Sequence, residues 1–166
     1  MNDRTKSILA ILAALICSAF VTGTVHAQLP DLVVSHVQAP PTGTANQTIT
    51  VKWKVTNSGS GPSSAELWVD GVYLSSDSIL DKNTDQAIGY YPHDVSLDPG
   101  SSEEDSTEAF IPDSAAGQYY IIVNANEFST VTESNYSNNS AHSALIGIDT
   151  NVPDLVISNV TAPAFG

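Results

Sequence analysis

The loop from Asp77 to Asp85 holds the residues of this chain whose types and spacing could bind a metal ion. Asp81, Asn83 and Asp85 stand on alternate residues, and Asp77 lies four positions ahead of them. Oxygen ligands at this spacing can converge on one hard cation when a loop curls around it, and calcium prefers carboxylate and carbonyl oxygens. We therefore predict a calcium site formed by Asp77, Asp81, Asn83 and Asp85. The alternative is a solvated acidic turn whose side chains only cap backbone groups.

This loop departs from the calcium-binding loop of helix-loop-helix proteins at two positions. Counted from Asp81, the sixth position is Gln86, where that loop needs glycine for a sharp turn. The twelfth position is Pro92, where it needs a bidentate glutamate. The predicted site therefore requires another geometry, and we expect a dissociation constant of about 0.1 to 1 mM, as extracellular modules often show.

No arrangement of residues in the sequence is typical of an active site. His36, His93 and His142 are far apart in sequence and have no partner at metal-ligand spacing, so we interpret them as surface or edge residues. The serines show no nucleophile-elbow pattern, and no helix follows the glycine-containing turn at 57–62 to form a phosphate site. The sequence therefore predicts a protein that is not an enzyme and that has no cofactor apart from the proposed calcium.

The charge of the chain excludes one class of partner. Five basic residues stand against 18 acidic ones in 166 residues, which gives a formal net charge of −13. Nucleic-acid binding depends on clustered lysine and arginine, so a nucleic-acid partner is not expected. The single cysteine, Cys17, lies near the N-terminus, so the rest of the chain has neither disulfides nor thiolate metal sites.

The first 27 residues have the pattern of a secretory signal peptide. Arg4 and Lys6 precede an apolar run at 8–21, and small residues ending at Ala27 follow. This run of 14 residues is shorter than the roughly 20 residues of a membrane-spanning helix. We therefore predict a secreted or cell-surface protein whose mature chain does not insert into a membrane.

The elements of the mature chain are predicted to be strands. Residues 48–57 alternate between apolar and polar side chains, which is typical of a strand with one buried face, and this places Trp53 in the core. The nearly continuous apolar stretch at 117–125 indicates a central strand, and Tyr119 at its start is a candidate tyrosine corner. The run at 101–105 is interpreted as a solvated acidic segment. A last strand is expected from Ala141 to Ile148.

These strands, about seven in number and separated by Gly, Pro, Asn and Asp turns, predict an all-β fold. No stretch after residue 27 shows sustained helical periodicity, and the pattern favours an immunoglobulin-like antiparallel β-sandwich. Two interpretations stay open for Trp68, Tyr90, Tyr91 and Tyr136, which could fill the core or form exposed platforms for a carbohydrate.

A repeat defines the domain boundaries. The segment Pro30–Pro40 returns 123 residues later as Pro153–Pro163, with eight of eleven positions identical. Solenoid repeats recur every 20 to 50 residues or so, and therefore the repeating unit here is a whole domain. We predict a signal peptide at 1–27, one domain at 28–149, and a linker with the start of a second repeat at 150–166. The domain at 28–149 is expected to fold alone, whereas the strand after it lacks its sheet partners.

Five segments, taken together in their order and spacing, resemble a known family. They are Asp31–Ser35 with Ala39-Pro40, Val55–Gly59, Val72–Asp77, Gly117–Tyr120, and Glu133 with Asn138-Asn139. This series resembles the CARDB domain, the cell-adhesion-related domain found in bacteria, over residues 30–148. The resemblance implies an immunoglobulin-like sandwich, usually in tandem on large secreted or surface proteins and sometimes beside proteases or glycosidases.

The sequence leaves three functions open. The first is a non-enzymatic module, one of several tandem repeats, that acts as an adhesion, interaction or spacer unit. The second is an accessory module of a larger secreted hydrolase, and the third is a carbohydrate-binding module. The protein or glycan partner cannot be named from the sequence.

Overall fold

The computed structural model describes residues 27–63, 67–150 and Ser158. Most of the predicted signal peptide and of the repeated segment 153–163 lies outside these residues. The described residues form nine strands and no α-helix. The strands are β1 (Leu32–Gln38), β2 (Thr42–Thr44), β3 (Thr48–Asn57), β4 (Trp68–Ser75), β5 (Gln86–His93), β6 (Ser102–Phe110), β7 (Gly117–Asn124), β8 (Ser140–His142) and β9 (Ile146–Asp149).

The strands form two sheets that enclose one apolar core. The smaller sheet has the order β1-β3-β6, and both of its pairings are antiparallel. The larger sheet has the order β2-β9-β7-β4-β5, and β8 also pairs with β7. All its pairings are antiparallel except that of β2 with β9, which is parallel. The predicted all-β immunoglobulin-like sandwich is therefore confirmed.

Alternation along β3 explains how the smaller sheet faces the core. Ile49, Val51, Trp53 and Val55 are buried, whereas the residues between them are exposed or half-buried. Successive side chains of a strand point to opposite faces, and so this strand packs one face on the core and presents the other to solvent. The predicted burial of Trp53 is confirmed.

The strand β7 is central, as its apolar sequence predicts. One of its edges pairs with β4, and the other pairs with β9 near its start and with β8 near its end. The expected single strand at 141–148 is thus two short strands. Between them the Ser143 backbone N–H donates to Ile121 O at 2.9 Å, and the Ile121 N–H donates to the Ser143 hydroxyl at 3.0 Å. The side-chain oxygen replaces a backbone acceptor at this break.

The acidic run at 101–105 was predicted to be solvated, and only part of it is. Ser101, Ser102 and Glu104 are exposed, but all of the run except Ser101 belongs to β6, and Asp105 is buried opposite Trp53. The pairing of β4 with β5 shifts register between Val72 and Tyr73. Within the described residues, no helix is long and apolar enough to cross a membrane.

Pro99 and Gly100 are suited to the turn that precedes β6. Gly100 has a φ of +80°, which glycine adopts without strain. The Ser101 N–H donates to Asp98 O at 2.9 Å across Pro99 and Gly100. Proline followed by glycine with positive φ is the pattern of a type II turn. This turn sets the direction in which the acidic strand enters the sandwich.

Candidate functional site

The predicted calcium ligands lie in the loop between β4 and β5. Asp81 Oδ1 accepts the Asn83 N–H at 2.9 Å, and Asp85 Oδ2 accepts the Asp81 N–H at 2.8 Å. These hydrogen bonds bring Asp81, Asn83 and Asp85 into one turn, and those from Asn83 lower the pKa of the Asp81 carboxyl. Asp77 closes a separate turn, where it accepts the Ile79 N–H at 2.8 Å. The carboxylates cap backbone groups here, and calcium binding by the loop stays a prediction.

One histidine lies in a very different place from the one expected. His36 and His142 are exposed, as predicted for surface or edge residues. His93, at the end of β5, is only 1% exposed, so its interpretation as a surface residue is wrong. Its ring stacks on Trp68 with centroids 3.6 Å apart and an interplanar angle of 4°. The register of β5 against β4, which places His93 opposite Trp68, turns this side chain into the core.

His93 joins two buried aspartates in what we call the buried polar cluster, formed by Asp70, His93 and Asp105. One ligand-type atom from each of these residues lies within 4.8 Å of the others. His93 Nε2 is 3.0 Å from Asp70 Oδ2, and His93 Nδ1 is 3.4 Å from Glu103 Oε2. The three side chains of the cluster and the neighbouring Glu103 come from β4, β5 and β6, so the cluster spans both sheets at the side where β5 faces β6.

Hydrogen bonds from neighbouring elements fix the Asp70 carboxylate. Trp53 Nε1 donates to Asp70 Oδ2 at 2.8 Å, and the Asn126 backbone N–H donates to Asp70 Oδ1 at 3.3 Å. A buried carboxylate is tolerated in a core when such donors compensate its lost hydration. Trp53 therefore connects the apolar core to the buried polar cluster.

The Asp105 carboxylate is less fully hydrogen-bonded than that of Asp70. Its side-chain atom Oδ2 is buried and has no hydrogen-bond partner among the described residues. Burial raises the pKa of Asp105 to about 6, although the neighbouring His93 acts in the opposite direction. Burial alone would lower the pKa of His93, but the hydrogen bond and charge of Asp70, with the charge of Asp105, outweigh it and leave that pKa above its ordinary value. The cluster combines excess negative charge with an unused oxygen ligand.

Sequence reasoning missed this cluster, although one signal for part of it was present. Asp105 lies at even spacing from Ala109 and Ile111, so period-two alternation of β6 places it on the core face. Asp70 and His93 had no comparable signal, because their partners in the cluster lie 10 or more residues away along the chain.

Some of the aromatic residues for which the sequence allowed two interpretations lie in the core, and others lie at the surface. Trp68 is fully buried and Tyr91 is half-buried against Trp53, so neither is an exposed platform. Tyr90 is 50% exposed and stacks on the exposed Phe128, with ring centroids 6.0 Å apart. Only this pair offers a stacked aromatic surface among the described residues.

A second buried carboxylate has a structural role. Glu133 Oε1 accepts from the side-chain amides of Asn126 and Asn139 at 2.7 and 2.8 Å, and Oε2 accepts the Leu32 N–H at 2.6 Å. These bonds tie β1 to the loop between β7 and β8. In the same loop the Tyr136 hydroxyl donates to Val131 O at 3.3 Å and accepts the Glu133 N–H at 3.0 Å. Tyr136 thus makes the backbone tie that was expected of Tyr119, whose hydroxyl forms no hydrogen bond within the described residues.

The fold and the loop tied by Glu133 define an immunoglobulin-like β-sandwich module. The sequence profile of one family, CARDB, matches residues 29–143. The chain belongs to the CARDB family, a family of non-catalytic modules, and the resemblance drawn from its motifs is confirmed.

Solved structures show the same fold at low sequence identity. The crystal structure of the CARDB domain of the PF1109 protein from Pyrococcus furiosus, in complex with di-metal ions, is 21% identical with a TM-score of 0.51. The match covers 73% of this chain and 90% of that one. A Bifidobacterium adolescentis GH3 β-glucosidase is 18% identical with a TM-score of 0.50, and the match covers 80% of this chain but 19% of the enzyme. No curated protein matches the chain.

Proposed function

We propose that this chain is a non-catalytic module of a secreted or cell-surface protein, which acts in a tandem array as an adhesion, interaction or spacer unit. The observation on which this depends is that the repeated segment contains the residues that anchor β1. Pro30 O accepts the Ser134 N–H at 2.9 Å, and the Leu32 N–H donates to Glu133. Asp31 Oδ1 accepts from the Asn138 amide at 2.9 Å.

The same residue types recur as Pro153, Asp154 and Leu155. A second sandwich that begins at Pro153 would therefore have the same three residue types to anchor its first strand. The acidic composition and the predicted signal peptide at 1–27 support an extracellular location for such an array.

The experiment is limited proteolysis of the whole secreted gene product, followed by mass spectrometry of the stable fragments. We expect resistant fragments that repeat with the 123-residue offset, with cleavage concentrated near residues 149–152. A single resistant body without cleavage at that boundary, or a product in which no second domain follows, contradicts the tandem arrangement.

A second candidate function is that of a carbohydrate-binding accessory module in a larger secreted hydrolase. The stacked and exposed pair Tyr90 and Phe128 favours it, because aromatic faces are suited to sugar rings. We expect glycan binding, if present, to fall in Tyr90→Ala and Phe128→Ala. The matched control is Phe110→Ala, which removes a comparably exposed aromatic ring from β6. Binding that survives both test variants excludes this surface.

A further inference from the structure

The buried polar cluster has more negative charge than its surroundings compensate. Asp70 and Asp105 are 0% and 6% exposed, and the Glu103 side chain is 31% exposed. His93 is the only group of the cluster that can become positive. Burying a carboxylate oxygen without a partner, as in Asp105, is costly, so a cation is expected to accompany it.

The basic residues of the described chain do not supply this cation. Lys82 pairs with Glu127 at 2.8 Å. Lys52 and Lys54 flank Trp53 in β3, and alternation places them on the face of the sheet that points away from the cluster. A proton on His93 or a bound metal ion is left to provide the positive charge.

We propose that Asp70, His93 and Asp105 bind a divalent transition-metal ion between the two sheets, with Zn²⁺ as the ion of choice. The buried Oδ2 of Asp105 has no hydrogen-bond partner among the described residues, and one oxygen of this carboxylate lies within 4.8 Å of ligand-type atoms of both other residues. Ligand atoms at about 2.0–2.2 Å from zinc are at most about 4.4 Å apart, so small side-chain rotations close the site.

The ligand set selects the class of metal. Imidazole nitrogen together with carboxylate oxygen suits zinc and related transition metals, whereas calcium and magnesium prefer oxygen alone. Three protein ligands leave a fourth position of a tetrahedral zinc ion for water. This site is separate from the acidic loop at 77–85 in both ligand type and position.

Groups around the cluster orient the ligands as metal sites require. With the metal on Nε2, the other imidazole nitrogen, Nδ1, faces Glu103 Oε2 at 3.4 Å and can donate its proton there. Trp53 Nε1 donates to the Asp70 carboxylate and helps to fix its orientation. Glu103 is thus a positioning residue, and its partial exposure marks the side from which an ion can enter.

The chain contains two tryptophans, and both touch the site. Trp53 donates to Asp70, and Trp68 stacks on His93. An ion bound there must therefore change the intrinsic tryptophan fluorescence, and paramagnetic Co²⁺ in the same position must quench it. Metal bound at the acidic loop would have no such contact with either indole.

The test uses the untagged chain, stripped of metal with EDTA and titrated with Zn²⁺, Co²⁺ or Mg²⁺. Bound metal is measured by equilibrium dialysis, and fluorescence and the melting temperature are followed in parallel. We expect one Zn²⁺ per chain, quenching by Co²⁺ and a higher Tm with zinc than with magnesium. Asp105→Asn keeps the side-chain shape, so it should fold and lose all three effects. Glu103→Gln should weaken binding about 10- to 100-fold.

Control variants change the same residue types elsewhere. Asp113→Asn and His142→Gln alter exposed side chains, and Asp81→Asn/Asp85→Asn removes the loop carboxylates. All three should bind zinc as the unaltered chain does. The proposal is overturned if the unaltered chain binds no stoichiometric zinc, if Asp105→Asn and Glu103→Gln bind it equally well, or if only the loop variant loses it. Because Glu103 is partly exposed, Glu103→Gln decides the question should Asp105→Asn fail to fold.

Discussion

The Trp53 side chain contacts both the apolar core and the buried polar cluster. Its ring is 2% exposed and meets Tyr91 edge-on at 5.6 Å, while its N–H group compensates the buried Asp70 carboxylate. Loss of this residue therefore removes apolar packing and also leaves a buried charge short of one donor.

We expect Trp53→Ala to lower the free energy of unfolding by about 3 to 5 kcal/mol, as for other large aromatic side chains removed from a core. Lys52→Ala changes the neighbouring exposed position and should be nearly neutral. Denaturant melts of both variants provide the comparison. Equal losses of unfolding free energy in the two variants would contradict the assignment of Trp53 to the buried face of β3 and of Lys52 to its exposed face.

Trp53 and His93 differ in how far their burial can be predicted from the sequence. Alternation placed Trp53 in the core because that pattern is local. His93 was misplaced because its burial depends on stacking against Trp68 and on Asp70, contacts that span 23 or more residues. The motif residue Glu133 was recognised, but its role in tying β1 to the loop between β7 and β8 was not, because its partner Leu32 lies 101 residues away along the chain.

At the level of elements, the acidic loop is fixed to the larger sheet. Lys82 Nζ contacts Glu127 Oε1 at 2.8 Å, and Glu127 in turn accepts the Tyr73 hydroxyl of β4. The loop sequence indicated a turn, and its polar composition correctly placed it on the surface. Lys82 anchors the loop through Glu127, which lies 45 positions away along the chain. A local sequence pattern does not predict such a contact.

We expect calcium at about 10 mM to stabilise the chain through this loop by about 1.8 kcal/mol, if the dissociation constant is about 0.5 mM. The readout is the melting temperature in high salt, compared with an equal concentration of magnesium. Asp81→Asn/Asp85→Asn should lose the shift, whereas Asp94→Asn/Asp98→Asn, which removes two other exposed carboxylates, should keep it. Identical midpoints with calcium and magnesium would mean that the loop is only a capped turn.

Within the described residues, the first and the last strand are both anchored to the rest of the sandwich. β1 is anchored by the loop after β7, and β9 pairs with both β2 and β7. The all-β class followed from period-two patterns and turn residues. The break between β8 and β9 did not, because it depends on Ser143 meeting Ile121 across the sheet.

We expect residues 28–149 to unfold in one cooperative transition, with a midpoint close to that of the chain of residues 28–166. The physical reason is that the described residues of this range already form an apolar core between two sheets. Calorimetry of the two chains makes the comparison. A shorter chain that fails to fold would show that the segment after residue 149 belongs to the first domain.

The positions at which the chain enters and leaves the sandwich determine how it responds to force. β1 starts beside the loop that follows β7, where the Leu32 N–H donates to Glu133, whereas β9 ends beside the start of β7, with Ile148 opposite Gly117. Tension applied through the two ends therefore acts along the strand axes, so that several ladder hydrogen bonds must break together. Attachment through Asp113 and Asp149, which lie near one end, would instead peel strands apart and should unfold the domain at lower force in single-molecule pulling. In an array of such domains, this geometry makes each sandwich a link that resists stretching until it opens as a unit.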